Sequence, residues 1–247
     1  MDYFLLIGAG FIAGIMNAVA GGGTFITFPM LVFTGVPPIV ANASNAVGLF
    51  PGNFASAWAY RHDYKNFDGV SFRSLVVAGL SGGLVGAVLL LLTPGPTFDA
   101  MVPWLILAAT LIFIFGPRIA PYLRRYFQIG RATLLMIQFL VSIYGGYFGG
   151  AMGIVMLAVY SLFGQTDLNA MNATKTLLAG FINGIAVIIF VSAGIVWWPE
   201  TFALLIGATA GGYIGARVAR GLNQKYVRTA IIVISVGVTI AFFVRAV

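Results

Sequence analysis

The stretch 75–92, LVVAGLSGGLVGAVLLLL, decides the fold class. Its 18 residues carry neither a charge nor a proline, and at 1.5 Å rise per residue such a helix approaches the ~30 Å depth of a bilayer's hydrocarbon core. Comparable apolar runs recur at about 41–60, 102–117, 133–150, 172–194, 201–216 and 229–244, and 3–20 reads as a retained span with no basic segment before it. Over the 247 residues, 60% are apolar and 8% charged, and the mean hydropathy is +1.01. Soluble domains carry about a quarter charged residues and disordered chains are poor in apolar ones. The composition therefore predicts an all-α polytopic membrane protein embedded in a lipid bilayer.

Charge sets the expected orientation. The segments 61–73, 118–131 and 217–228 hold eleven of the 13 basic residues, whereas the connections 93–101 and 196–200 hold none, only Asp99 and Glu200. The positive-inside rule puts the three basic loops in the cytoplasm. The net charge of +7 does not point to nucleic acid, because the positive residues sit in short loops between spans. There are no cysteines and one histidine, His62 in a charged loop, so neither thiolate chemistry nor a metal site is expected. Trp197 and Trp198 beside Pro199 read as interfacial anchors.

The chain also repeats. Gly82-Gly83-Leu84-Val85-Gly86-Ala87 matches Gly211-Gly212-Tyr213-Ile214-Gly215-Ala216 at an offset of 129, and Asn42-Ala43-Ser44-Asn45 matches Asn172-Ala173-Thr174-Lys175 at 130, as Asn53 does Asn183. Two transmembrane repeats are predicted, 1–117 and 132–247, joined by a cytoplasmic basic linker at 118–131. The run 41–60 ends at a basic loop and its partner 172–194 ends at an acidic one, so the two halves are expected to be inverted. Secondary transporters recurrently use inverted repeats, with the substrate between them near the midplane.

Two apolar pieces, about 24–35 and 152–164, are too short for ordinary spans and each follows a glycine cluster. They read as re-entrant or broken helices, whose irregular backbone must line a cavity or be buried. A helix that starts after Gly21-Gly22-Gly23 and Thr24 aims unpaired amides and its positive dipole end at the turn, which suits an anion; Gly149 and Gly150 mark the matching turn. Close helix packing accounts for Gly82, Gly86, Gly211 and Gly215 better than ligand contact does. Asn42, Ser44, Asn45, Asn172 and Thr174 lie near helix starts, where they either cap or donate to a ligand. Lys175 opens a long uncharged run. A charge inside a membrane is costly and marks a functional site by default, with snorkelling to the membrane face as the bland alternative.

No Asp or Glu falls inside an expected span, which argues against an intramembrane carboxylate relay. No P-loop, H-E-x-x-H or G-x-S-x-G is present, and Gly8-Ala9-Gly10 through Gly14 lacks dinucleotide spacing. Neither catalytic residues nor a cofactor is expected.

Several motifs together resemble the sulfite exporter TauE/SafE family of prokaryotic membrane permeases. They are Gly10-Phe11-Ile12-Ala13-Gly14, Ala20 through Thr24 with Pro29, Gly35-Val36-Pro37-Pro38, Ala41 through Asn45, Pro51-Gly52 and Ala59-Tyr60-Arg61. The second half adds Tyr144 through Gly149, Asn172 through Lys175 and Gly211 through Arg217, so the resemblance covers nearly the whole chain in order. One departure is that the second half has Gly149-Gly150-Ala151-Met152-Gly153 in place of a triple glycine and later proline. The resemblance implies a multi-pass protein of the prokaryotic inner membrane that moves small sulfur-containing anions such as sulfite or organosulfonates, usually outward; the inverted halves suit alternating access by rocking one half against the other. An anion channel and a non-transporting membrane enzyme or assembly subunit are the alternatives. A homo-oligomer is compatible with the sequence, and no nucleic-acid partner is expected.

Overall fold

A computed structural model describes residues 3–65, 67, 69–218 and 224–246. Asp2, Asp68 and Arg220, placed above in edges and loops, lie outside the described residues.

Among the described residues ten α-helices follow one another: α1 (Tyr3–Val19), α2 (Thr24–Phe33), α3 (Pro38–Ala59), α4 (Phe72–Leu92), α5 (Gly95–Tyr126), α6 (Arg131–Tyr147), α7 (Met152–Leu162), α8 (Leu168–Ser192), α9 (Trp198–Val218) and α10 (Gln224–Ala246). Among the described residues there is no strand, only an isolated bridge between Phe67 and Val70. Four helices, α4, α5, α8 and α9, are long and apolar enough to cross a membrane. Their outward faces expose Val77, Leu92, Trp104, Ile188 and Ile206, a distribution that in water would be an aggregation hazard and in lipid is ordinary.

Local chemistry sets the helix ends. Pro38 opens α3, a position where a missing N–H costs nothing. The Ser71 side chain accepts from the Ser74 amide to start α4, and Asp167 accepts from the amides of Asn169 and Ala170 to start α8. Asn42 and Asn172 lie inside their helices rather than at the caps, so the capping reading gives way. The stretch 118–131 is also not a loop for most of its length: α5 continues to Tyr126, leaving 127–130 as the connection. Its Arg124 and Arg125 fall in the last turn, where positive charge complements the helix dipole instead of ending the helix.

Packing follows the repeat. When α1 to α5 are matched with α6 to α10, the principal neighbours exchange. Helix α1 packs on α9 as α6 packs on α4, α3 on α9 as α8 on α4, and α2 on α10 as α7 on α5, while α3·α8 and α5·α10 each pair with their own counterpart. Glycines make the closest of these contacts. A Cβ on Gly211 would lie 1.9 Å from the Phe11 carbonyl oxygen, one on Gly207 2.0 Å from that of Ile7, and one on Gly86 2.0 Å from that of Ile143. Gly82, Gly86, Gly211 and Gly215 are thus positions where backbones meet, as small residues allow in membrane helices. Because α1 is clamped to α9 and α6 to α4, each half grips the other.

Candidate functional site

The two short helices reach the middle of the molecule with their first residues. After α1 the backbone reverses at Gly21, with φ of +84°; after α6 it reverses at Gly149 and Ala151, with φ of +80° and +58°. The turns touch: a Cβ on Gly21 would stand 2.8 Å from the Gly153 Cα, and one on Gly153 only 3.0 Å from the Gly21 Cα. Beside this contact, where α3 crosses α8, is a cavity of about 40 Å³.

One stripe of α3 lines it, Asn42, Asn45, Ala46, Leu49 and Asn53, and from α8 come Lys175, Thr176, Ala179, Asn183 and Phe190. The α3 residues follow the i, i+3, i+4, i+7 spacing of one helix face. Asn17, Gly21, Thr24, Tyr147, Gly149 and Gly153 complete much of the wall. Among the described residues no Asp or Glu lines the cavity, and Lys175 is the one charged residue in its wall.

Lys175 is 2% exposed, so it does not snorkel. Its Nζ donates to the carbonyls of Asn17 and Ala18, each at 3.2 Å, and to Asn172 Oδ1 at 2.7 Å. Those three bonds use all three ammonium donors, and the two carbonyls are orphans at the C-terminal end of α1, where a cation is favoured. The related bond in the other half is neutral: Asn42 Nδ2 donates to the Tyr147 carbonyl at the end of α6, at 2.8 Å. Lys175 therefore offers the cavity a positive charge, not a free donor. A buried charge without a carboxylate partner is costly, and an anion nearby offsets that cost.

Donors for such an anion come from other groups. The side-chain amides of Asn53 and Asn183 have no hydrogen-bond partner among the described residues, and the same holds for the backbone N–H groups of Thr24 and Gly153 at the starts of α2 and α7. Asn17 accepts from the Gly23 amide through Oδ1, at 2.8 Å, leaving its NH₂ group over. Asn45 is engaged with Thr27 and Thr24.

Of the residues singled out from sequence, Gly21, Thr24, Asn42, Asn45, Gly149 and Lys175 line the cavity. The others lie beside it. Gly22 faces Ile231 and Phe113, Gly23 faces α1, and Gly150 faces Phe148 and Ala109. Ser44 Oγ accepts from the Trp197 amide at 2.8 Å and so ties α3 to the α8–α9 connection. Asn172 positions Lys175, and Thr174 is buried with its hydroxyl unpaired. The expectation of three free glycine amides also needs correcting, since Gly21 N donates to the Met16 carbonyl in closing α1. Asn17, Asn53 and Asn183 were missed as site residues. The Asn53–Asn183 repeat pair was the signal for two of them.

Residues 6–242 match the family described as Sulfite exporter TauE/SafE. Among curated proteins, the chain is 29% identical to a probable membrane transporter protein of a Sinorhizobium species, over 96% of this chain and 90% of that one. It is 29% identical to a probable membrane transporter protein of Haemophilus influenzae, covering 94% and 90%, and 27% identical to the probable membrane transporter protein YfcA of Escherichia coli K12, covering 91% and 83%. No solved structure gives a significant match.

Proposed function

The chain belongs to the sulfite exporter TauE/SafE family, and from that premise we propose that it is a secondary transporter of a small sulfur oxyanion, with sulfite as the prototype. The relatives' names point to membrane transport rather than catalysis. The observation that carries the reading is the cavity itself: one buried cation, unpaired amide donors from both halves, and no carboxylate among its lining residues. A cation site would present the opposite polarity.

Size narrows the class. By the measure of about 10–15 Å³ per water, a cavity of about 40 Å³ suits an ion of about four heavy atoms. Sulfite meets that limit; a longer organosulfonate enters only if the cavity widens. In the proposed cycle the halves are inverted and rock about the α3–α8 crossing, exposing the cavity to each side in turn. The basic connections face the cytoplasm of a prokaryotic cell, and an inside-negative potential drives the anion outward.

The test is sulfite efflux from proteoliposomes with sulfate, thiosulfate and a small organosulfonate as competitors. Saturable efflux with counterflow supports the carrier. Non-saturating conductance means a channel, and absence of flux from folded protein overturns the anion assignment.

A further inference from the structure

We propose that this protein carries a binding site for an anionic phospholipid, with the headgroup at Arg228 and Arg118 and an acyl chain along α5 and α7. The site shares no lining residue with the anion cavity and does not depend on which solute is moved.

Two contiguous spaces define it. The first, about 250 Å³, lies between α5, α7 and the start of α10, and among the described residues Arg228 is the only charged one in its lining. The second, about 460 Å³, is a groove between α5 and α7 walled by aliphatic and aromatic side chains, Leu111, Phe115, Ile119 and Leu123 among them. The spaces share Ala120, Ile154 and Ala158, so one molecule can occupy both. Neither lining contains an Asp or Glu.

The arginine is fixed in place by a gap in α5. Pro117 has no N–H for the Phe113 carbonyl four residues earlier, and Arg228 Nη2 donates to that carbonyl at 3.4 Å and to the carbonyl of Ile114 at 2.8 Å. One edge of the guanidinium is thereby used. Its Nε is buried without a partner, and Arg118 follows the lining residue Pro117 directly on α5, adding a second positive charge to this stretch of the helix. The spare buried Nε of Arg228 and the Ser161 hydroxyl in the same wall, with the charge of Arg118 beside Pro117, fit a phosphate. The groove leading from them is apolar and its Phe115 and Ile119 are exposed, which fits a hydrocarbon chain and not a soluble anion. Basic pockets between membrane helices bind anionic headgroups on the same principle.

The experiment compares detergent-solubilised full-length protein carrying phosphatidylglycerol with protein carrying phosphatidylcholine, by native mass spectrometry and thermal unfolding. Wild type is expected to retain phosphatidylglycerol preferentially and to be stabilised by it, with about five-fold preference lost per arginine neutralised. Arg228→Gln also releases two carbonyls and can lower stability by itself. Arg118→Gln removes charge without touching those carbonyls, and it should reduce the preference with little change in the lipid-free melting point. Equal retention of both lipids by wild type would overturn the proposal, as would inorganic phosphate reproducing the whole stabilisation. A dimer that forms without lipid and buries the α5–α7 groove would overturn it too.

Discussion

In the proposed anion site, Lys175 and the asparagines would divide the work of binding. The ammonium is held by three oxygens and acts through its field; Asn53 and Asn183, one from each half, have amides left to donate. A hydrogen bond to a charged group is worth about 1.5–3 kcal/mol. Asn53→Ala or Asn183→Ala should therefore raise the half-saturating sulfite concentration by about 10- to 100-fold, with unfolding temperature little changed. Lys175→Gln should abolish saturable flux, and the same variant should lower thermal stability because the end of α1 loses its cation. The two effects separate the roles of charge and tether. Sequence made Lys175 legible because it is a lone charge in an uncharged run. Ser44 is less legible, because adjacency in Asn42-Ala43-Ser44-Asn45 is not adjacency on a helix, where Ser44 turns away from the stripe that Asn42 and Asn45 share. Asn17 gave no signal, being one polar residue at the end of an apolar helix.

Among the elements, the glycine-lined contact of α1 with α9 makes the sharpest prediction. Gly211→Ala would place a methyl group against the Phe11 carbonyl, and overpacking of this kind costs about 1–3 kcal/mol. Gly8→Ala, on α1 with nothing within 4 Å of its Cβ position, should change unfolding only by the helix-propensity gain of Ala over Gly, up to about 1 kcal/mol, so a thermal melt of the pair isolates packing from helix propensity. The helices themselves were readable from apolar runs, and the short α2 and α7 from the glycine clusters that precede them. The end of α5 is not readable, because the first arginine after the apolar run, Arg118, reads as the end of a span. A helix can run past the membrane edge when its basic residues sit near its C-terminus, as Arg124 and Arg125 do here.

For the whole molecule, contacts between the halves matter most. Lys65, in the α3–α4 connection, bonds Asp167 at the start of α8 at 2.6 Å. The hydrogen bond and charge of Asp167 hold the lysine above its ordinary pKa, and the hydrogen bond from Lys65, with help from the Ala170 amide, holds the carboxyl below its own. The carboxylate's contribution is present above the ordinary carboxylate range and fades as pH falls through the lowered value. The lysine's contribution is present below the ordinary lysine value and fades as pH rises through the raised one. The pair is intact at neutral pH, and being exposed it is screened by salt. Asp167→Asn should change melting little, and the difference from wild type should vanish in acid and in high salt. In a rocking carrier the same variant should alter maximal flux more than half-saturation.

The unequal tethers, a lysine on the end of α1 and an asparagine amide on the end of α6, have a thermodynamic corollary. A carrier with identical halves has two end states of equal energy, each the mirror of the other in function. If the protein works by the proposed alternating access, one ammonium in one half would lift that degeneracy, so the empty protein would rest unevenly between its two orientations and a bound anion would redistribute them. The chain has no cysteine, so single-cysteine variants on the two sides should report that imbalance against a silent background, with labelling rates that shift in opposite directions when sulfite is added.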